Sequence, residues 1–148
     1  MAIFFKKKID NNTLLGIWEI KETEQGLLKK LNPGNDGKVF LNTLSHPQRR
    51  LEWLAARVLL RKLLEELDPL INSNTPLTFN TEKTGKPTLQ NLNYHFSLSH
   101  SHNWAAAIVS KTTAVGVDIE KQIKDFNVEL NNLNPNAVTP YQFKIEDE

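Results

Sequence analysis

The chain has 148 residues, 39% of them hydrophobic and 24% charged, with a formal net charge of +1 and no cysteine. That length suits one domain with a real core, the near-neutral charge argues against a general nucleic-acid binder, and the cysteine count excludes disulfides, thiol nucleophiles and cysteine metal sites. The opening Met1 to Lys8 places an apolar pair before its positive charges, the reverse of a secretory signal, and no apolar run approaches a membrane span, so a cytoplasmic protein with neither nucleic-acid nor membrane partner is expected.

Residues 14 to 20 read as a strand and Glu22 to Leu31 as a short helix, followed by a break over Asn32-Pro33-Gly34-Asn35-Asp36-Gly37. Residues 38 to 44 are ambiguous, with one helical turn or two. The strongest helix runs from Pro47 to Glu66. Ser45 is its expected N-cap, with Gln48 three residues on as a capping box requires, and Pro47 stands in the first turn, where its missing N–H costs nothing. Leu51, Leu54, Ala55, Val58 and Leu59 follow the spacing of a buried stripe. Arg50, Arg57 and Arg61 share another face, whose ordinary reading is a solvated one, with Arg61–Glu65 and Lys62–Glu66 as pairs one turn apart. Asp68-Pro69 ends the helix. Leu77 to Asn80 reads as a strand, Thr84-Gly85-Lys86-Pro87 as a turn, and His95–Ser99, Ala105–Ser110 and Val115–Ile119 as three strands in quick succession. From Lys121 onward, including residues 131 to 136 and the acidic end, coil is expected. The sum is an α+β domain, one long helix on a largely antiparallel sheet.

Asp118 and Glu120 stand two apart on a strand, so both carboxylates leave one face while Val115, Val117 and Ile119 fill the core from the other. Such a pair suits Mg²⁺, which takes one or two carboxylates and completes its shell with water and phosphate; a solvent-facing polar position is the ordinary alternative. Ser97-Leu98-Ser99-His100-Ser101-His102 gathers hydroxyl and imidazole donors at a strand end. No Gly-x-Ser-x-Gly elbow accompanies them, which argues against a serine nucleophile. Gly85-Lys86-Pro87 presents one ammonium on a stiff turn, a common phosphate partner.

The order of these segments carries more than any one of them. A long arginine-bearing helix, Gly85-Lys86-Pro87, Ser99-His100-Ser101, an alanine-rich strand and Gly116-Val117-Asp118-Ile119-Glu120 together resemble the two-lobed 4′-phosphopantetheinyl transferases, over about Arg49 to Glu120. The resemblance implies a half-domain of that family over residues 1–120, with a divergent or truncated tail over 121–148. It implies a transferase that moves the phosphopantetheine arm of coenzyme A onto a serine of an acyl or peptidyl carrier protein and releases adenosine 3′,5′-bisphosphate. Asp118 and Glu120 would hold Mg²⁺ on the pyrophosphate, and with His100 they make up the expected catalytic group. Lys86 and Pro87 would border the adenine and 3′-phosphate, Ser99 and His100 would meet the phosphates, and Arg50 or Arg57 would reach the 3′-phosphate. The family's second lobe supplies a Trp-x-x-Lys-Glu-Ala helix; after Glu120 this sequence has no Trp and no Lys-Glu pair. A fragment, a degenerate chain and a chain completed by a second subunit are the three readings of that difference, the last of which predicts a homodimer. The competing function is a coenzyme A-binding or scaffold protein of the same fold without catalysis.

Overall fold

The computed structural model describes residues 5–81, 86–122, 125–132 and 141–146, with backbone alone at 35, 36, 81 and from 120 onward. Helix α3 (Pro47–Leu67) organises them. Its predicted stripe is buried at Leu54, Ala55, Val58 and Leu59, and the burial continues through Leu60, Leu63 and Leu64. The N-cap is His46 and not Ser45: the His46 backbone is extended and its Nδ1 accepts from the Gln48 N–H at 3.2 Å. The cause is Pro47, which drives the residue before it out of the helical region and so fixes the boundary at 46.

Two shorter helices precede α3. Helix α1 (Glu24–Leu31) starts on Thr23, whose hydroxyl accepts from the Gly26 N–H at 3.1 Å, and stops at Asn32, which adopts the left-handed conformation at φ 47°. Helix α2 (Asn35–Thr43) begins inside the segment expected to be a break and runs through the ambiguous one. The break is therefore only Asn32 to Gly34.

Strands β1 (Phe5–Asp10), β2 (Thr13–Glu19), β5 (His95–Ser101) and β6 (Trp104–Ser110) form one antiparallel sheet in the order β1-β2-β6-β5. Period-two alternation splits its side chains between two cores. Leu14, Trp18, Phe96, Ala105, Ala107 and Val109 face α3, whereas Leu15, Ile17, Ala106 and Ile108 face away from it. Gly16 lets the helix close on the sheet: a Cβ there would lie 3.0 Å from Leu59 Cδ1 and 3.2 Å from Leu63 Cδ2. The second face is covered by β7 (Val115–Gln122), which inserts Val115, Val117 and Ile119 as its sequence alternation predicts.

β3 (Phe79–Thr81) and β4 (Pro87–Leu89) form a separate hairpin; Gly85 of the predicted turn lies outside the described residues. The coil expected after Lys121 is overturned in part. β8 (Asp125–Asn132) pairs antiparallel with β7 and β9 (Tyr141–Glu146) with β8, in the order β7-β8-β9, and Asp118 is registered with Glu129. Apolar and polar residues alternate in both, the sequence signature of strands.

Candidate functional site

β5 is an edge strand of its sheet, and it carries the polar cluster from Ser97 to Ser101, while His102 lies in the turn after it. Consecutive residues there leave opposite faces, so Ser99 and His100 point to different layers and form no Ser–His dyad. Ser99 turns toward β7. Its hydroxyl donates to Asp118 Oδ1 and accepts from the Ile119 N–H, each at 3.1 Å, and Ser97 Oγ accepts from the Val117 N–H at 3.2 Å. Two serine hydroxyls thus stand in for strand carbonyls along this seam. Asp118 is exposed, and its second oxygen has no hydrogen bond to the described residues. Glu120 occupies the β7 position opposite Asn127, and its side chain lies outside the described part. Among the described residues no group of three His, Asp or Glu side chains could hold a metal.

His100 turns toward α3. Its Nδ1 lies 3.6 Å from Glu52 Oε2, and 39% of its side chain remains exposed. Burial holds the imidazole below its ordinary pKa, opposed by Glu52 and assisted by Arg57 and Arg49. Glu52 itself is only 8% exposed and also accepts from the Asn103 N–H at 3.4 Å. Asn103 and His102 form the β5–β6 turn, both with positive φ as a two-residue hairpin of that type requires. Gln48 donates to Asn103 Oδ1, and the Ile20 N–H donates to Asn103 O at 2.7 Å. The first turns of α3 therefore clamp the hairpin that carries Ser99 and His100. Glu52 and Asn103 were not singled out in the sequence, and Gln48 was read only as a capping residue. Glu52 had a readable signal: it sits in helical register with the buried Ala56, Leu59 and Leu63, where a carboxylate demands a partner.

The arginines depart from a solvated face. Arg50 is consumed by the fold: Nε donates to Glu24 Oε1, and Nη1 donates to the carbonyls of Leu41 and Leu44 at 2.6 and 3.0 Å. Arg61 is 3% exposed and spends two nitrogens on carbonyls of Leu31, Asn72 and Thr75. Neither expected pair one turn apart forms; Glu66 meets Lys6 instead, at 2.8 Å. Arg57 lies over the Trp53 ring at 4.1 Å and the Phe79 ring at 5.2 Å, with Phe40 stacked behind Trp53 at 5.5 Å. Burial pushes Arg57 down to about 9; its Nη1 donates to the Trp53 carbonyl at 3.3 Å, its Nε has no partner among the described residues, and no described carboxylate pairs with it. It is a charged, partly desolvated donor among aromatic rings, close enough to His100 to disfavour the imidazolium. Through Phe79 the β3–β4 hairpin joins this cluster. Pro87 opens β4 opposite Thr81, two residues from Phe79, and Lys86 beside it is exposed.

Comparison with known proteins places these elements in a family context. Residues 40–110 match the family model described as the 4′-phosphopantetheinyl transferase N-terminal domain. Over 69 residues the chain is 36% identical to the 4′-phosphopantetheinyl transferase psf-1 of Bacillus pumilus, a match that covers 46% of this chain and 28% of that protein. The matched family span includes Arg57, Lys86, Ser99 and His100 and stops before Asp118.

Proposed function

With residues 40–110 forming a 4′-phosphopantetheinyl transferase N-terminal domain, which makes the chain a member of that superfamily, we propose that it binds coenzyme A along the β5 edge and serves transfer of the phosphopantetheine arm to a serine of a carrier protein. The observation that supports this best is the pairing of Ser99 and His100 on an edge strand. One presents a hydroxyl tied to a carboxylate, the other an imidazole beside an unpaired arginine. A diphosphate lying along that edge meets the His100 imidazole and Arg57 on one face and, on the other, the Asp118 carboxylate that Ser99 orients for a metal.

Of the two arginines the resemblance offered for the 3′-phosphate, Arg57 is the one with no carboxylate partner among the described residues, whereas Arg50 is paired with Glu24 and tied to two carbonyls. Lys86 and Pro87 would border the adenine side, at the root of the hairpin that touches Arg57 through Phe79. Asp118 fits Mg²⁺: a single exposed carboxylate, oriented by Ser99 and with one oxygen free, suits an ion that keeps water and phosphate oxygens in its shell. Glu120 would be the second ligand. The metal would neutralise charge on the leaving phosphate; the chain's own part is to hold the diphosphate by His100 and Arg57, with Ser99 keeping Asp118 in place, so that its reacting phosphorus faces the incoming hydroxyl.

The test is calorimetric titration of coenzyme A into the protein with Mg²⁺. Binding that is lost in Asp118→Ala and in Lys86→Ala supports the reading, and transfer to an apo carrier protein then separates an enzyme from a module that only binds. No heat at millimolar coenzyme A would sink it. The same reading carries a lobe over residues 1–120, a cytoplasmic location and a homodimer. Light scattering decides the last of these, since a monomeric mass at high concentration overturns it. Among the described residues no helix is long and apolar enough to cross a membrane.

A further inference from the structure

One turn beyond Arg57, α3 contributes to a second cation cluster that coenzyme binding does not use. A cavity of about 260 Å³ is lined by Lys29 and Lys30 from the last turn of α1, by Arg61, Lys62 and Glu65 from α3, and by Ser73 from the loop after it. Four cations thus face one carboxylate. The three lysines are exposed, and none pairs with a described carboxylate.

Arg61 forms the buried wall. Its Nε donates to the Leu31 carbonyl at 3.1 Å, and Nη1 donates to those of Asn72 and Thr75 at 3.2 and 2.9 Å. Nη2 is buried with no partner among the described residues. Carbonyl dipoles answer part of that charge, and Glu65 adds a favourable field without an ion pair. A guanidinium removed from water with one nitrogen unanswered is costly unless something supplies an acceptor. The helix macrodipole accounts for Lys29 and Lys30 at the end of α1. It does not account for Lys62, or for the unpartnered Nη2.

We infer that this cavity binds a small phosphate-bearing anion at a site separate from the β5 edge. Arg61 supplies positive charge from the inner wall, Lys30 and Lys62 supply charge at the mouth, and the Ser73 hydroxyl supplies a donor. The volume admits a phosphate with a short organic substituent. A soluble phosphate ester and a lipid headgroup present this same chemistry.

Inorganic phosphate titrated into isotope-labelled full-length protein, at constant ionic strength with chloride as control, should shift the Lys62 and Ser73 amide resonances saturably. Lys30→Ala with Lys62→Ala, both at exposed positions, should weaken that binding about tenfold, roughly the loss of one charge-assisted hydrogen bond. Asp118→Ala should leave it unchanged, which keeps this site distinguishable from the coenzyme site. The absence of saturable shifts at those amides, or shifts retained in full by the double variant, overturns the inference. Sedimentation with vesicles that depends on phosphatidic acid and is lost in the double variant assigns the headgroup; saturable shifts without sedimentation assign a soluble ester.

Discussion

Arg57 combines a largely desolvated charge with a single carbonyl partner, that of Trp53, and that sets its expected behaviour. Removing it should weaken coenzyme A by about tenfold or more, the usual size of a charge-assisted contact. Arg57→Lys should recover little, because an ammonium cannot reproduce a planar donor lying over Trp53 and Phe79. Equal affinity of wild type and Arg57→Ala in calorimetry would remove Arg57 from the site. His100 gives a second reading of the same field. Burial is the largest influence and holds it below the ordinary 6.5; Glu52 opposes, while Arg57 and Arg49 assist. Glu52→Gln should therefore lower the imidazole pKa further in an NMR titration, and Arg57→Ala should raise it. The stability sign follows. As pH falls through 6.5 the unfolded imidazole takes its proton before the native one does, so stability is fully present above that value and declines until the native group also titrates. His100→Gln should flatten this part of the pH–stability curve in chemical denaturation. A bound phosphate should move the His100 pKa upward, and coenzyme A that leaves it unmoved would place the diphosphate elsewhere.

Between elements, the tightest fit is α3 on β2 at Gly16. The side-chain tips of Leu59 and Leu63 can yield a few tenths of an ångström to an alanine. The two further methyls of Gly16→Val exceed that slack and should cost about 1–3 kcal/mol in urea unfolding, the usual range for overpacking. At this scale α3 was legible because its apolar period is long and unbroken. Its cap was not, because the influence of Pro47 on residue 46 outweighs the better capping chemistry of Ser45. α2 was hidden by Gly34 and Gly37, which read as a turn although only Asn32 to Gly34 breaks the chain. β8 and β9 carry alternating patterns, Phe126, Val128 and Leu130 in one and Tyr141, Phe143 and Ile145 in the other. Asparagine, depleted in strands, obscured the first. The burial of Arg57 and Arg61 was illegible for another reason: most of their partners, the Phe79 ring and the carbonyls of Leu31, Asn72 and Thr75, lie more than two turns away along the chain.

At the scale of the molecule, the β5 edge is where two layers meet, the α3 core on one face of the sheet and the β7 core on the other. The sequence motif assigned Ser99 and Asp118 roles on one ligand without specifying the hydrogen bond that joins them. It could not show that the same hydroxyl also joins the layers by accepting from the Ile119 N–H. That double duty separates two substitutions. Asp118→Ala removes an exposed carboxylate and should change stability by no more than about 0.5 kcal/mol while abolishing Mg²⁺-dependent coenzyme A binding. Ser99→Ala strips the partner from a part-buried N–H and should cost about 1–3 kcal/mol as well as weakening the ligand. The two effects should couple in a double-mutant cycle for affinity, because Ser99 orients the carboxylate, and add independently for stability, because only Ser99 holds β7. Unfolding and calorimetry on the four proteins decide this: affinity losses that simply add would mean that the Ser99–Asp118 hydrogen bond belongs to the fold alone, with no part in holding the ligand.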